Sequence, residues 1–199
     1  MAEAVADIRG CLDAGAQHVQ IDFTEGRLAV KLDPSKRLLE QFIELNNRVL
    51  RHFSTEERKQ IGVHTCPGGD HDSTHSADVD YAELLPSLFS LEAGNFCMQL
   101  ASEKEPDHVL SVVRGTLRPG QRVYVGVIDV LNPEVESPEQ VRDRVLRAAE
   151  YIPLDQLGTT DDCGFSPFED DTSTGRDTAF AKITVRIEGT RLAAEALGL

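Results

Sequence analysis

Apolar and polar positions follow two alternating periods along this chain. Short apolar runs bounded by turn-forming residues predict strands at 18–23, 60–65, 94–100, 122–129 and 157–162. Apolar residues spaced three and four apart predict helices at 2–14, 34–50, 78–89, 107–117, 137–151 and 178–197. Strands that alternate with helices in this way indicate βα units and a parallel sheet.

The number of predicted units is too small for a complete eight-unit barrel, which takes about 250 residues. The chain has 199 residues, and at its strand spacing about three units are unaccounted for. We therefore expect one domain, residues 1–199, of the α/β class. Its expected fold is of the (β/α)8 TIM-barrel type, with only the C-terminal five βα units present.

Charge and composition narrow the classes of function. The formal net charge is −14 at pH 7. Nucleic acids and membrane surfaces also carry negative charge, so neither is an expected partner. Cysteines at 11, 66, 97 and 163 are too widely spread for a disulfide framework, no secretory signal precedes them, and no apolar stretch has the length of a membrane span. These features favour a reducing, cytoplasmic location.

Three residues with metal-binding side chains follow two of the predicted strands. His64 and Cys66 are two apart on an extended segment, so their side chains point the same way and can converge on one tetrahedral Zn²⁺. Cys163 follows the fifth strand, and barrel enzymes keep their chemistry at such C-terminal strand ends. We expect these residues to bind zinc, and three protein ligands are typical of a catalytic zinc. The alternative is that both cysteines are small core residues.

Four segments, in order and at compatible spacing, carry a resemblance to a known family. They are Val19-Gln-Ile-Asp22, Gly62-Val-His-Thr-Cys66, Val125-Gly-Val-Ile-Asp129 and Asp161-Asp-Cys-Gly164. With these segments the chain resembles the C-terminal catalytic barrel of cobalamin-independent methionine synthase and its shorter bacterial and archaeal relatives. The resemblance implies that His64, Cys66 and Cys163 bind zinc. It also implies that Asp22 holds the amino group of homocysteine.

Two positions depart from the pattern of that family. Gln99 stands where the family has a zinc-binding Glu, and Leu131 stands where it has a His that helps in proton handling. Gln99 itself, Cys97 on the same strand face, or Glu103 four residues on are the alternatives for completing the metal site. The resemblance begins at the fourth barrel strand of the family, so we expect the first three βα units to be absent.

The activity implied by the resemblance is zinc-dependent methyl transfer in methionine biosynthesis. A methyl group would pass from a methyl-folate or methyl-corrinoid donor to a thiol such as homocysteine. The alternative is a noncatalytic or incomplete half-barrel that functions only with a partner chain. Open sheet edges and an apolar barrel interior predict self-association, or a chain that supplies the missing barrel units.

Two polar segments flank the candidate site. Residues 70–80 are rich in Asp and His, and they either support the site or form a solvated loop that leads to an N-cap at Asp78 or Asp80. Residues 168–174 are acidic and rich in hydroxyl groups, and we expect a loop near the mouth of the site. His18 is expected to be an ordinary surface or boundary residue.

Overall fold

The computed structural model describes residues 1–66, 78–166 and 172–199. Within these ranges the strands form one parallel sheet, and their order in space follows their order in the chain. The strands are β1 (Val19–Asp22), β2 (Ile61–Thr65), β3 (Asn95–Met98), β4 (Arg122–Ile128) and β5 (Leu157–Asp161). Parallel pairing of sequential strands requires a crossover each time, as in consecutive βα units of a barrel.

Helices precede, connect and follow these strands. The α-helices of the described residues are α1 (Ala2–Asp13), α2 (Glu25–Leu32), α3 (Arg37–Leu50), α4 (Thr55–Arg58), α5 (Leu85–Leu88), α6 (Pro106–Thr116), α7 (Pro138–Ala149) and α8 (Arg176–Leu197), with a 3-10 turn at Tyr81–Glu83. Helix α7 begins as predicted, because the side chains of Ser137 and Gln140 each accept a hydrogen bond from the backbone N–H of the other. None of the described helices is both long and apolar enough to cross a bilayer.

The helices pack against one face of the sheet, and the apolar core lies between the two layers. Right-handed crossovers between sequential neighbours place all the connecting helices on the same side. Alternate strand residues such as Ile61, Val63, Phe96, Val123 and Val125 point to that side and are buried. The predicted α/β architecture, with five strands of a barrel-type sheet, is therefore confirmed.

The opposite face of the sheet, here called the open face, is lined by polar and small residues. It carries Gln20, Asp22, Gly62, His64, Asn95, Cys97, Arg122, Tyr124, Gly126, Gly158 and Thr160. A Cβ atom at Gly62 would lie 2.3 Å from the ring of His18, and one at Gly158 would lie 2.5 Å from the ring of Tyr124. In a closed barrel this face would be the interior. The expectation of an apolar interior is therefore wrong, and His18 packs on the open face.

Three helical segments differ from the sequence prediction. The segment predicted as one helix over 78–89 is a 3-10 turn followed by α5. Asp80 caps that turn by accepting from the N–H of Ala82, and Pro86 has no N–H to continue a longer helix. Helices α2 and α4 have no counterpart among the predicted elements. In α2 the buried position of Arg27 obscures the apolar period, and α4 is a single turn capped by Ser54.

Candidate metal centre

His64, Cys66 and Cys163 meet at the C-terminal ends of β2 and β5. One candidate ligand atom from each residue lies within 4.8 Å of the other two. The Sγ atoms of Cys66 and Cys163 are 3.5 Å apart. Two sulfur ligands at the usual Zn–S distance of about 2.3 Å, on corners of a tetrahedron, would lie about 3.8 Å apart. The spacing of the two thiols therefore suits a single tetrahedral ion.

The parallel sheet explains why residues 97 positions apart converge. His64 lies near the end of β2, a strand in which every residue is buried, and Cys66 follows one residue after the strand ends. The chain reaches Cys163 two residues after β5 ends, where the N–H of Asp162 donates to the carbonyl of Ile128 at 3.0 Å. All the strands of a parallel sheet have their C-terminal ends on the same side, so both thiols lie at that end of the sheet.

The electrostatics of the three residues favour a metal ligand set. The hydrogen bond from Cys66 lowers the pKa of the Cys163 thiol to about 5, with His64 acting in the same direction against the effect of burial. A thiolate is the form of cysteine that binds metal ions. Within the described part of the chain, Nε2 of His64 is buried and has no hydrogen-bond partner. An imidazole nitrogen without a partner is a ligand type that zinc accepts.

The three alternatives for a further ligand have distinct environments. Burial raises the pKa of Cys97 to about 11, so its thiol stays protonated at neutral pH. Oε1 of Glu103 accepts hydrogen bonds from Nη1 of Arg27 at 2.8 Å and from Nε2 of Gln99 at 3.0 Å. Among the described residues, neither Cys97 nor Glu103 joins the group of converging ligand atoms that contains His64. The Glu103 carboxylate instead pairs with Arg27 and orients Gln99.

Arg27 is a structural anchor of the site that the sequence did not reveal. Its guanidinium donates to the carbonyl of Val79 at 2.6 and 3.0 Å and lies 5.0 Å from the ring centroid of Tyr81. The hydroxyl of Tyr81 in turn donates to the carbonyl of Thr65, the residue before Cys66. A buried arginine is rare unless it is paired, and its partner Glu103 is 76 positions away. No local pattern could have identified it.

Asp22 lies at the edge of the same site. It is exposed at the C-terminal end of β1, and its Cα is in register with that of His64.

A cavity of about 480 Å³ opens at this end of the sheet, bordered by Gln99, Ser102 and Glu103 among others. A second cavity, of about 520 Å³, lies near the N-terminal ends of β3 and β4. The first cavity is at the end where barrel enzymes bind their substrates.

Some predicted positions near the site have other roles or cannot be assigned one. Asp70, His71, Asp72 and His75, and residues 168–171 of the acidic segment, lie outside the described residues. Asp78 forms an ion pair with Lys31 at 2.8 Å. Leu131 packs against the apolar core.

Comparison with solved structures defines the class of this chain as a TIM-barrel-type α/β protein. The fold is similar to that of a B12-independent methionine synthase from Shewanella sp. W3-18-1, solved in complex with selenomethionine. The TM-score is 0.77 at 19% sequence identity, over 98% of this chain and 54% of that one.

The sequence model of the family described as "Cobalamin-independent synthase, Catalytic domain" matches residues 2–178, and the chain belongs to this family. The predicted family is thereby confirmed. Methionine synthase from Thermococcus kodakarensis is 26% identical over 75% of this chain and 37% of its own length. The 5-methyltetrahydropteroyltriglutamate–homocysteine methyltransferase of Vibrio vulnificus is 24% identical over 81% of this chain and 19% of its own length. The chain thus spans less than half the length of these two curated relatives.

Proposed function

We propose that this chain takes part in zinc-dependent transfer of a methyl group to a thiol such as homocysteine, in methionine biosynthesis. The observation that carries the proposal is that His64, Cys66 and Cys163 bring their ligand atoms within 4.8 Å of one another at the C-terminal ends of the strands. Membership of the cobalamin-independent synthase family supports it. A reducing cytoplasm would keep both thiols available for the metal.

The side chains present fit a zinc ion. His64, Cys66 and Cys163 would hold it through one nitrogen and two sulfur atoms, and this donor set leaves one tetrahedral position for a substrate thiol. Bound Zn²⁺ would supply the charge that keeps such a thiol deprotonated near neutral pH. The lowered pKa of Cys163 means that this ligand is already a thiolate at that pH. Cys97 would not compete for the ion, because among the described residues its thiol is not part of the converging group of ligand atoms.

Asp22 is proposed to bind the amino group of the substrate. Its carboxylate is exposed, and it occupies the open face in register with His64 on the neighbouring strand. Neighbouring strands are about 4.8 Å apart, which is within the reach of a four-carbon amino acid such as homocysteine. A methyl-folate is the donor that the name of the Vibrio relative favours, and a methyl-corrinoid is the alternative.

The activity is proposed to require βα units beyond those of this chain. In the described residues β1 and β5 are the edges of the sheet, and the open face carries exposed polar residues such as Gln20 and Arg122. Three further units, supplied by the same gene product or by a partner chain, would pair with these edges and enclose the open face. Without them, the chain would be the noncatalytic half-barrel of the alternative hypothesis.

Metal analysis of the purified chain under reducing conditions tests the metal site. We expect about one zinc per chain in the wild type and its loss in Cys66→Ser and in Cys163→Ser, because each change removes a thiolate from the ligand set. Cys97→Ser is the matched control, since it makes the same substitution on the adjacent strand and should retain the zinc. Equal zinc content in the wild type and in the Cys66 and Cys163 variants would refute the site.

Asp22→Asn tests the division of roles between metal and substrate binding. The substitution removes the charge proposed to hold an ammonium group, so binding of homocysteine should weaken while zinc content stays at the wild-type level. Binding is measured by titration calorimetry on the zinc-loaded chain, together with the segment that supplies the missing units. Loss of zinc from this variant would show that Asp22 belongs to the metal site instead.

A further inference from the structure

Asp162 joins the end of β5 to the turn that follows β3. Its Oδ1 accepts hydrogen bonds from the backbone N–H groups of Leu100 and Ala101, both at 2.9 Å. Its Oδ2 accepts from the N–H of Ser102 at 2.8 Å and from the hydroxyl of Ser102 at 2.7 Å. Three successive N–H groups that point at one carboxylate form a site built for an anion. The protein's own Asp162 occupies it.

The carboxylate is enclosed from the strand side as well. Asp162 is 3% exposed. Gly126 in β4 lies directly against it, because a Cβ atom there would come within 1.8 Å of Oδ1 of Asp162. The N–H of Asp162 also donates to the carbonyl of Ile128, which extends the pairing of β5 with β4. These contacts leave the carboxylate and its backbone little freedom of position.

The consequence for the candidate metal centre follows from chain connectivity. Cys163 is the next residue after Asp162. Gln99 immediately precedes the bound segment Leu100–Ser102, and Glu103 immediately follows it. A carboxylate that binds this segment therefore sets the separation between the Cys163 ligand and the Gln99–Glu103 pair.

We propose that Asp162 is a positioning residue for the metal centre, which it holds together by anchoring the turn after β3 to the residue before Cys163. The proposal rests on the proposed function, since it requires that His64, Cys66 and Cys163 bind a metal ion. Asp162 itself does not contact the ion. Its effect is to fix Cys163 relative to the end of β3, which pairs with β2, and thereby relative to His64 and Cys66 at the end of β2.

The test is the zinc affinity of Asp162→Asn, measured by competition with a chromogenic chelator at neutral pH under reducing conditions. The amide presents an NH₂ group to backbone N–H donors and so breaks part of the contact. Loss of partners that orient metal ligands typically weakens binding about 10- to 100-fold, and we expect a rise of that size in the zinc dissociation constant. Cobalt substitution supplies a second readout, because the intensity of the thiolate-to-metal absorption should fall with the displacement of Cys163.

Glu136→Gln is the matched control. Glu136 is also a buried carboxylate, and it holds the segment after β4 through Lys182 at 2.9 Å and the N–H of Asp129 at 2.9 Å. Its loss should lower the thermal stability while leaving the zinc dissociation constant within about threefold of wild type, because it anchors no segment next to a metal ligand.

The outcomes separate the proposed zinc binding from the positioning role of Asp162. A wild-type chain that binds no zinc overturns the proposed function, and the positioning role falls with it. A wild-type chain that binds zinc, with equal affinity in Asp162→Asn, overturns the positioning role alone. If Asp162→Asn does not fold, Ser102→Ala removes only the hydroxyl donor and should raise the dissociation constant by a smaller factor. Unchanged affinity in that variant would then count against the proposal.

Discussion

Gly126→Ala measures how closely β4 must approach the Asp162 carboxylate. The added Cβ atom would lie 1.8 Å from Oδ1 of Asp162 and 3.0 Å from the backbone nitrogen of Leu100. A contact between carbon and oxygen normally exceeds about 3 Å, so the carboxylate must move by more than about 1 Å. A shift of that size would stretch hydrogen bonds of 2.7 to 2.9 Å beyond their useful range.

The expected cost has two parts. Forcing an additional carbon into a packed site costs about 1–3 kcal/mol. Weakening the hydrogen bonds of a buried polar group costs about 1–3 kcal/mol, and more where the group is charged. We therefore expect Gly126→Ala to lower the free energy of unfolding by about 2–6 kcal/mol, which lowers Tm by on the order of 10 °C in a domain of this size.

Gly10→Ala is the matched control, because it makes the same substitution in α1 where no atom lies within 4 Å of the new Cβ. It should raise the free energy of unfolding by about 0.4–1 kcal/mol, since the unfolded chain loses conformational freedom. Urea unfolding followed by circular dichroism, in chelator and reductant to remove the stabilising effect of metal, measures both variants.

A double variant shows whether the stability lost in Gly126→Ala comes from the contact with Asp162. In an Asp162→Ala background the carboxylate is absent, so the further substitution Gly126→Ala should cost much less than it does in the wild type. Neutral surface substitutions change the free energy of unfolding by up to about 0.5 kcal/mol. The reasoning is refuted if the free energy of unfolding of Gly126→Ala differs from that of the wild type by no more than this amount. It is also refuted if the substitution costs the same in both backgrounds.

Two further predictions concern paired side chains near the site. Lys182 is fully buried and donates to Oε2 of Glu136 at 2.9 Å, while Arg144 contacts Oε1 of Glu136 at 3.3 Å. Lys182→Met should therefore lower the free energy of unfolding by about 1–3 kcal/mol, because it removes one of two cations that are paired with a buried carboxylate. Urea unfolding checks this, and adding Glu136→Gln should recover part of the loss. Gln99→Glu should tighten zinc binding, because it puts an anionic ligand at the position where the family has its zinc-binding Glu. Chelator competition measures this, and unchanged zinc affinity would show that the side chain at position 99 points away from the metal centre, toward Glu103, to which Gln99 donates at 3.0 Å.

Most of the fold could be predicted from periodicity because strand and helix signals are local. Each of the five strands begins within one residue of its predicted start. The start of α7 was found because Ser137, Pro138 and Gln140 are neighbours in the chain. The segment before β3 was harder, because Asp80 and Pro86 divide a helical pattern into a 3-10 turn and one short helix. Helix α2 was missed because its buried face includes an arginine.

The candidate metal ligands could also be predicted, although their meeting could not be derived from spacing alone. His64 and Cys66 share a strand end, which a period of two shows directly. Cys163 joins them only through the order of the strands in the sheet. The polar open face differs from the expected apolar interior, although the alternation of apolar and polar residues in β1 (Val19–Asp22) indicates a polar face directly.

The sequence by itself determined the alternation of strands and helices, the ligand types at 64, 66 and 163, and the family to which they point, because each depends on residue identity at short or fixed spacing. Only the tertiary structure decided that Arg27 is paired with Glu103, that Asp162 anchors Leu100–Ser102, and that Gly126 leaves room for it. These contacts join residues from 36 to 76 positions apart, and a charged side chain is buried only where the folded chain brings its partners to it.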